Sequence, residues 1–208
     1  MQLRSDDRGL TLPELLVALV ILAIIIVPLS DALIGFVRNT DATTRRMNES
    51  HDIQLASTYF ARDIQMLGVH DWSSPTLALL RSIDNPSYPC TGSGTAVLSL
   101  AWDDPTSILG APTVIRVTYL VRDVGGEHQL RRLLCRGSAT VESDVVVVHN
   151  LVGTPAAPVC ATATGTPTSC TGAGVNVPQR VSLTVNIKDS GSPGTPTSLT
   201  LTGQRGQS

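Results

Sequence analysis

The sequence is poor in aromatic side chains: Phe, Trp and Tyr together make up 3% of its 208 residues. So few rings exclude a large aromatic core and argue against a surface that stacks nucleobases. Charge is sparse too, at 15% of residues with a net charge of -2, so there is no global positive field to draw in nucleic acid. Lysine is nearly missing, with Lys188 standing beside 14 arginines. The four cysteines form no C-x-x-C pair, and His51, His70, His128 and His149 do not fall at the spacing of zinc ligands. G-x-S-x-G, H-E-x-x-H and a phosphate loop are all lacking. We therefore expect no enzyme, no metal and no cofactor. His128 beside Glu127 reads as an exposed hairpin residue, and Asp103-Asp104 before Pro105 reads as a turn.

The apolar residues that are present are unevenly placed. Residues 15–26 contain no polar side chain, and the stretch 10–29 is as long as the roughly 20 residues that cross a bilayer. Before it stands a short polar segment in which Asp6 and Asp7 offset Arg4 and Arg8. With the free amino terminus, that balance weakly favours a cytoplasmic amino terminus and an exported remainder. An exported location tolerates disulfides, which suits the cysteines.

Glu14 is out of place in such a run. A carboxylate costs up to about 2.5–3.5 kcal/mol if it reaches the bilayer centre. Neither a cleaved export signal, for which Ser30 and Ala32 offer a cut site, nor a plain anchor gains from it. A subunit that meets a cation on packing does gain. Gly9 would let a protease approach the backbone, and the cut would leave an ammonium on Leu10. That ammonium and the Glu14 carboxylate of a neighbouring copy could pair in a low-dielectric bundle and set its register. Pro13 falls in the first helical turn, where its missing N–H is harmless. Pro28 falls inside the helix, where a kink or local melting is expected.

The stretch Gly9-Leu10-Thr11-Leu12-Pro13-Glu14-Leu15-Leu16 resembles the processing motif of type IV pilins and type II secretion pseudopilins. The resemblance implies cleavage by a prepilin peptidase after Gly9, methylation of the new terminus at Leu10, and an assembly role for Glu14. It departs from the family in having Leu10 where phenylalanine is commonest, and in its weakly basic leader. The partners implied are the peptidase, other pilin or pseudopilin subunits, an inner-membrane assembly platform, and membrane lipid before assembly. The implied location is the inner membrane as a single pass, then a pilus or pseudopilus.

Beyond the apolar run, Leu33, Phe36, Val37, Thr40, Thr44 and Met47 recur at helical steps. Ile53, Ala56, Phe60, Ile64 and Leu67 then share one face, and Gly68 is a stop signal. One helix over residues 11–67 would be about 85 Å long, too long for one small domain. Residues 59–68 resemble the end of the long helix in PilW-type minor pilins and the J-type pseudopilin. Arg62 and Asp63 within it read as members of a solvated face.

After residue 68 the pattern turns to strands. Candidates are 96–102, 113–121, 128–135, 144–152, 181–188 and 197–202, with Ile115, Val117, Tyr119 and Val121 on one face. Gly125-Gly126 is a tight-turn signal. The hairpin 117–135 also resembles the PilW-type family. Residues 69–95 and 153–178 read as loops. The expected fold is α+β: a long helix, membrane-crossing in its first half and amphipathic in its second, packed on a carboxyl-terminal antiparallel sheet. The expected parts are a leader at 1–9, a membrane or filament-core helix at 10–29, an amphipathic helix at 30–68 and the sheet domain at 69–208.

Four cysteines allow three pairings. Cys160 with Cys170 closes a short polar loop and is preferred, which leaves Cys90 for Cys135. Arg131, Arg132 and Arg136 could form a small basic patch. Three readings follow: a minor pilin or pseudopilin, a competence pilin contacting DNA through its exposed loops, for which that patch could serve, and an anchored surface domain that never polymerises.

Overall fold

The computed structural model describes residues 11–104, 106, 112–188 and 195–206. The chain divides into two compact units, one up to Met47 and the other from Asn48 onward. Helix α1 (Leu12–Met66) contributes to both.

In the first unit every described side chain from Thr11 to Asp41 is exposed. The segment Leu12–Asp41 is long and apolar enough to cross a membrane. Pro28 lies within α1, and the helix continues through it. The local melting expected there does not occur. Proline removes one donor and crowds one carbonyl without ending the helix here.

The second unit is the α+β domain, built on antiparallel strands. Strands β1 (Val69–His70) and β2 (Leu79–Leu80) form a two-stranded ribbon. β3 (Thr95–Asp103), β4 (Val114–Val124), β5 (Glu127–Arg136) and β6 (Val141–Val148) form a four-stranded meander in chain order. β7 (Val159–Ala161), β8 (Pro167–Thr168), β9 (Arg180–Ile187) and β10 (Thr197–Gln204) form a second sheet in the order β10-β9-β7-β8. Three antiparallel sheets, two of them four-stranded, thus stand where a single one was expected. The segments read as loops contain β1, β2, β7 and β8, which at two or three residues are too short to show alternation. The strand expected at 144–152 starts earlier and ends at Val148, because Leu151 crosses to bridge Ile187 of the other sheet.

Gly125 and Gly126 turn β4 into β5 with φ of 64° and 86°, values that suit a two-residue hairpin loop and that favour glycine. Alternation along β4 buries Ile115, Val117 and Tyr119 on the face where Leu98, Leu100 and Trp102 of β3 also lie. Ala56, Phe60, Ile64 and Leu67 of α1 join that core, as do Val181, Leu183, Val185 and Leu201 of the second sheet. Each such large aliphatic or aromatic side chain contributes about 1.5–3 kcal/mol by leaving water. Gly203 of β10 runs so close to α1 that an added Cβ would lie 2.5 Å from the Cβ of Ile64.

A smaller cluster holds Cys90, Leu120, Leu133 and Cys135. Cys90 is bonded to Cys135, with Cα atoms 5.7 Å apart, and Cys160 is bonded to Cys170, with Cα atoms 5.2 Å apart.

Candidate assembly site

Two places concentrate polar groups where apolar ones would be expected. The first is the start of α1. Glu14 occupies the first turn of the helix, with its backbone N–H donating to the Thr11 carbonyl at 3.0 Å. A carboxylate there is favoured by the helix dipole and by the free N–H groups of the first turn. It is followed by an exposed surface of Leu15, Leu16, Leu19, Leu22, Ile25 and Ile26, among others. An apolar surface of that extent is not stable in water and requires lipid or other helices around it. Gly9 and Leu10 lie outside the described residues.

The second place is the packed face of α1 in the sheet domain. Asp63 is 1% exposed, and three hydrogen bonds converge on it. The Arg132 guanidinium donates from Nε to Oδ2 and from Nη2 to Oδ1, both at 2.7 Å, and the Tyr119 hydroxyl donates to Oδ2, also at 2.7 Å. Tyr119 and Arg132 are cross-strand neighbours on β4 and β5. The Tyr59 ring, one turn before Asp63, caps the other side of the guanidinium at 4.9 Å from its centroid. Burial pushes the Tyr119 phenol well above its ordinary range, and the negative charge of Asp63 adds to it. Burial by itself would lower the Arg132 pKa, but the hydrogen bonds and charge of Asp63 outweigh it and the net direction is up.

Asp63 therefore does not belong to a solvated face, while Arg62 beside it is exposed. The reason is positional. Asp52, Ala56, Phe60, Asp63 and Leu67 follow one another at steps of three and four, so both carboxylates lie on the stripe that faces the sheet. Asp52 is nearly buried and accepts from the His149 backbone N–H at 3.0 Å and pairs with its Nδ1 at 2.8 Å. Sequence reasoning missed both acids. The signal available was an acid four residues before Ala56 and another seven residues after it, both in step with the apolar stripe.

The basic patch does not form. Arg132 is buried on Asp63, and Arg131 donates to Asp144 at 2.7 Å. Asp144 also accepts from Arg122 at 2.8 Å, and Arg136 is bound to Asp104. The arginines of this region are matched by carboxylates, which removes the field that phosphate binding requires. His128 is exposed and pairs with Asp123 at 3.2 Å. Asp103 accepts from the His70 backbone N–H and from Trp72 Nε1, and pairs with His70 Nδ1. Asp104 accepts from the Thr106 backbone N–H and hydroxyl.

With this geometry in hand, one comparison places the amino-terminal segment. Residues 4–30 match the family model described as the prokaryotic N-terminal methylation motif. That segment is the amino-terminal motif of a type IV pilin-like precursor. No protein of curated function and no solved structure matches it. For this pilin-like chain the motif implies processing by prepilin peptidase and assembly with other pilins, and it points to a structural protein. The apolar helix fits a membrane-anchored pilin.

Proposed function

We propose that the chain is a minor pilin or pseudopilin of a type IV pilus-like or type II secretion-like filament. In this reading the peptidase cuts after Gly9, Leu10 becomes the methylated terminus, and Glu14 pairs with the Leu10 ammonium of a neighbouring subunit. The observation that carries it is Glu14, a carboxylate in the first turn of an exposed apolar helix, within the segment that matches the methylation motif. Buried in a helix bundle, an unpaired carboxylate is costly and a paired one fixes register. Pro28 supplies a weak point in the same helix where bending costs least. The amino terminus stays on the cytoplasmic side of the inner membrane, and the sheet domain is exported. There its two disulfides persist.

Among filament subunits, PilW-type minor pilins and J-type pseudopilins are the nearest reading. Two separate stretches carry that resemblance, residues 59–68 and the 117–135 hairpin. They supply the two sides of one buried ion pair, Asp63 from the first, Tyr119 and Arg132 from the second. The basic patch that a competence pilin could use is not offered, since Arg131, Arg132 and Arg136 are engaged by Asp144, Asp63 and Asp104.

Mass spectrometry of the mature amino terminus tests the central claim. A chain beginning at N-methylated Leu10 is expected. A chain beginning at Leu33 would mean ordinary signal cleavage and would sink it. Glu14→Ala should keep membrane insertion and lose entry into filaments, whereas an anchored, non-polymerising domain would tolerate the change.

A further inference from the structure

The β3–β6 meander has a second face, opposite the one on which α1 is packed. Along β4, Val117 and Tyr119 turn into the main core, while Leu120 turns the other way into the smaller cluster and Thr118 shares its side of the strand. On that far face the segment 84–94 bends round a cavity of about 340 Å³ that opens to solvent. Its size falls at the lower end of the range for small-molecule sites, roughly 300–1,000 Å³. Ser99, Thr118 and Leu120 form the floor of this cup, and Asp84, Tyr88 and Cys90 belong to its wall. The structure is built to hold it. Leu120 faces Ala96 and Thr118 faces Ser99, so three steps along β3 match two along β4, and both Ala96 and Ser99 reach the cup. One extra residue in a strand re-aims its side chains in this way.

The wall is fixed at several points. Cys90 is bonded to Cys135 of β5. Gly92 and Gly94 bring the wall back to β3 so closely that added Cβ atoms would lie 2.6 Å from Leu133 Cδ1 and 2.5 Å from the Val121 carbonyl oxygen. A wall already in place leaves little ordering for a ligand to impose. The polar groups are few and aimed. Asp84 clamps Ser99: its backbone N–H donates to the Ser99 carbonyl at 2.9 Å, and its Oδ1 accepts from the Ser99 N–H at 2.8 Å. Its Oδ2 accepts from no group among the described residues. The Ser99 and Thr118 hydroxyls bond each other at 3.2 Å, and Thr118 is only 3% exposed. Between them they use one O–H, so the other is offered to whatever fills the cup. A buried hydroxyl with nothing to donate to is unfavourable.

We propose that this cup binds a neutral saccharide, a mono- or disaccharide unit. Among the described residues that line it, Asp84 alone carries a charge, and that charge repels an anion. Arg116 opposes a cation, since its guanidinium lies over the Tyr88 ring, 5.8 Å from the centroid. A sugar satisfies the site without a charge of its own. Its hydroxyls donate to Asp84 Oδ2 in a charge-assisted bond and accept from the floor hydroxyl. Its C–H face lies against the apolar surface of Tyr88 and Leu120. The cup and the packed stripe of α1 use opposite sides of the sheet, so saccharide binding is independent of the Glu14 pairing.

The test applies the full chain, with its disulfides intact and in a zwitterionic detergent free of sugar groups, to an array of immobilised neutral and sialylated glycans. Neutral glycans should retain it and sialylated ones should not. The free terminal disaccharide of the best-retained glycan should displace it, as expected for a cup of this size rather than for a long polymer surface. Thr118→Val and Asp84→Asn keep the shape of their side chains, and each should weaken retention about tenfold with an unchanged circular dichroism spectrum. Asp84 is exposed, so its variant tests binding without touching the core. Thr202→Val on β10 should bind as wild type, and so should Glu14→Ala even as it loses filament entry. Absence of retention on every glycan, preference for sialylated ones, no displacement by the disaccharide, or full retention of both Thr118→Val and Asp84→Asn would each overturn the proposal. A peptide or amine ligand would appear as the first of these.

Discussion

Asp63 on α1 and Arg132 on β5 stand 69 residues apart in the chain and meet in a two-bonded carboxylate–guanidinium pair at 2.7 Å per bond. Neither is open to solvent, with side-chain exposures of 2% and 7%. A buried pair of this kind gains little net stability over apolar residues of the same shape, yet removing one partner costs about 3–5 kcal/mol. Asp63→Ala should therefore destabilise the sheet domain by that amount, because Arg132 and the Tyr119 hydroxyl are left unpaired together. The triple change Asp63→Leu, Tyr119→Phe, Arg132→Met should recover most of it. Urea unfolding followed by near-ultraviolet circular dichroism measures both. A triple variant no better than Asp63→Ala would show that the pair itself carries the stability.

Tyr119 gives an alkaline signature. Its folded-state pKa is raised well above the ordinary tyrosine value near 10, mainly by burial and then by Asp63. The group thus favours folding fully below about pH 10, where both states are protonated. Above that the unfolded phenol ionises and the folded one does not, so stability falls with rising pH. Tyr119→Phe should remove much of this slope and cost about 1.5–3 kcal/mol at neutral pH through the lost bond to a charged acceptor. Absorbance at 295 nm should show Tyr119 ionising only as the domain unfolds.

Asp144 gives the acid counterpart. Arg131 and Arg122 hydrogen-bond it and together overcome the burial that would raise its pKa, so its carboxyl titrates below the ordinary aspartate range. Its contribution is present above about pH 3.9 and is lost as pH falls through the lowered folded value. The carboxylate is partly exposed, so Asp144→Asn should cost only about 0.2–1 kcal/mol at pH 7. The difference from wild type should vanish near pH 2. A constant difference across that range would assign the effect to packing.

The disulfides should differ in worth. Chain entropy gives about 4 kcal/mol for Cys90–Cys135, whose separation is 45 residues, against about 3 for Cys160–Cys170, whose separation is 10. Double serine variants compared by thermal unfolding should rank in that order. Cys90 and Cys135 are also both buried against Leu120 and Leu133, which widens the gap.

Much of this architecture is legible before any coordinates. The apolar run, Glu14 and the Ala56-Phe60-Ile64-Leu67 stripe declare the helix and its packed face, and Gly125-Gly126 declares the β4–β5 hairpin. What stays hidden has a common cause. Asp52 and Asp63 look like solvated acids, because their partners His149, Tyr119 and Arg132 reach them only through sheet pairing across 56 to 97 residues. Arg131 and Arg136 look like a basic patch for the same reason, their neutralising acids Asp144 and Asp104 lying elsewhere in sequence. The second sheet is concealed by the brevity of β7 and β8.

The spacing of Asp52 and Asp63 has a mechanical consequence. Eleven residues make about three helical turns, so the two carboxylates are fastened to the sheet on one line parallel to the helix axis. A tension applied along that axis loads both fastenings and the Phe60–Ile64 contacts between them together, in shear. They cannot be peeled open one after another. Resistance to such a pull is governed by the rate at which all of them let go at once. In single-molecule stretching, breaking either fastening should lower the rupture force more than its share of equilibrium stability.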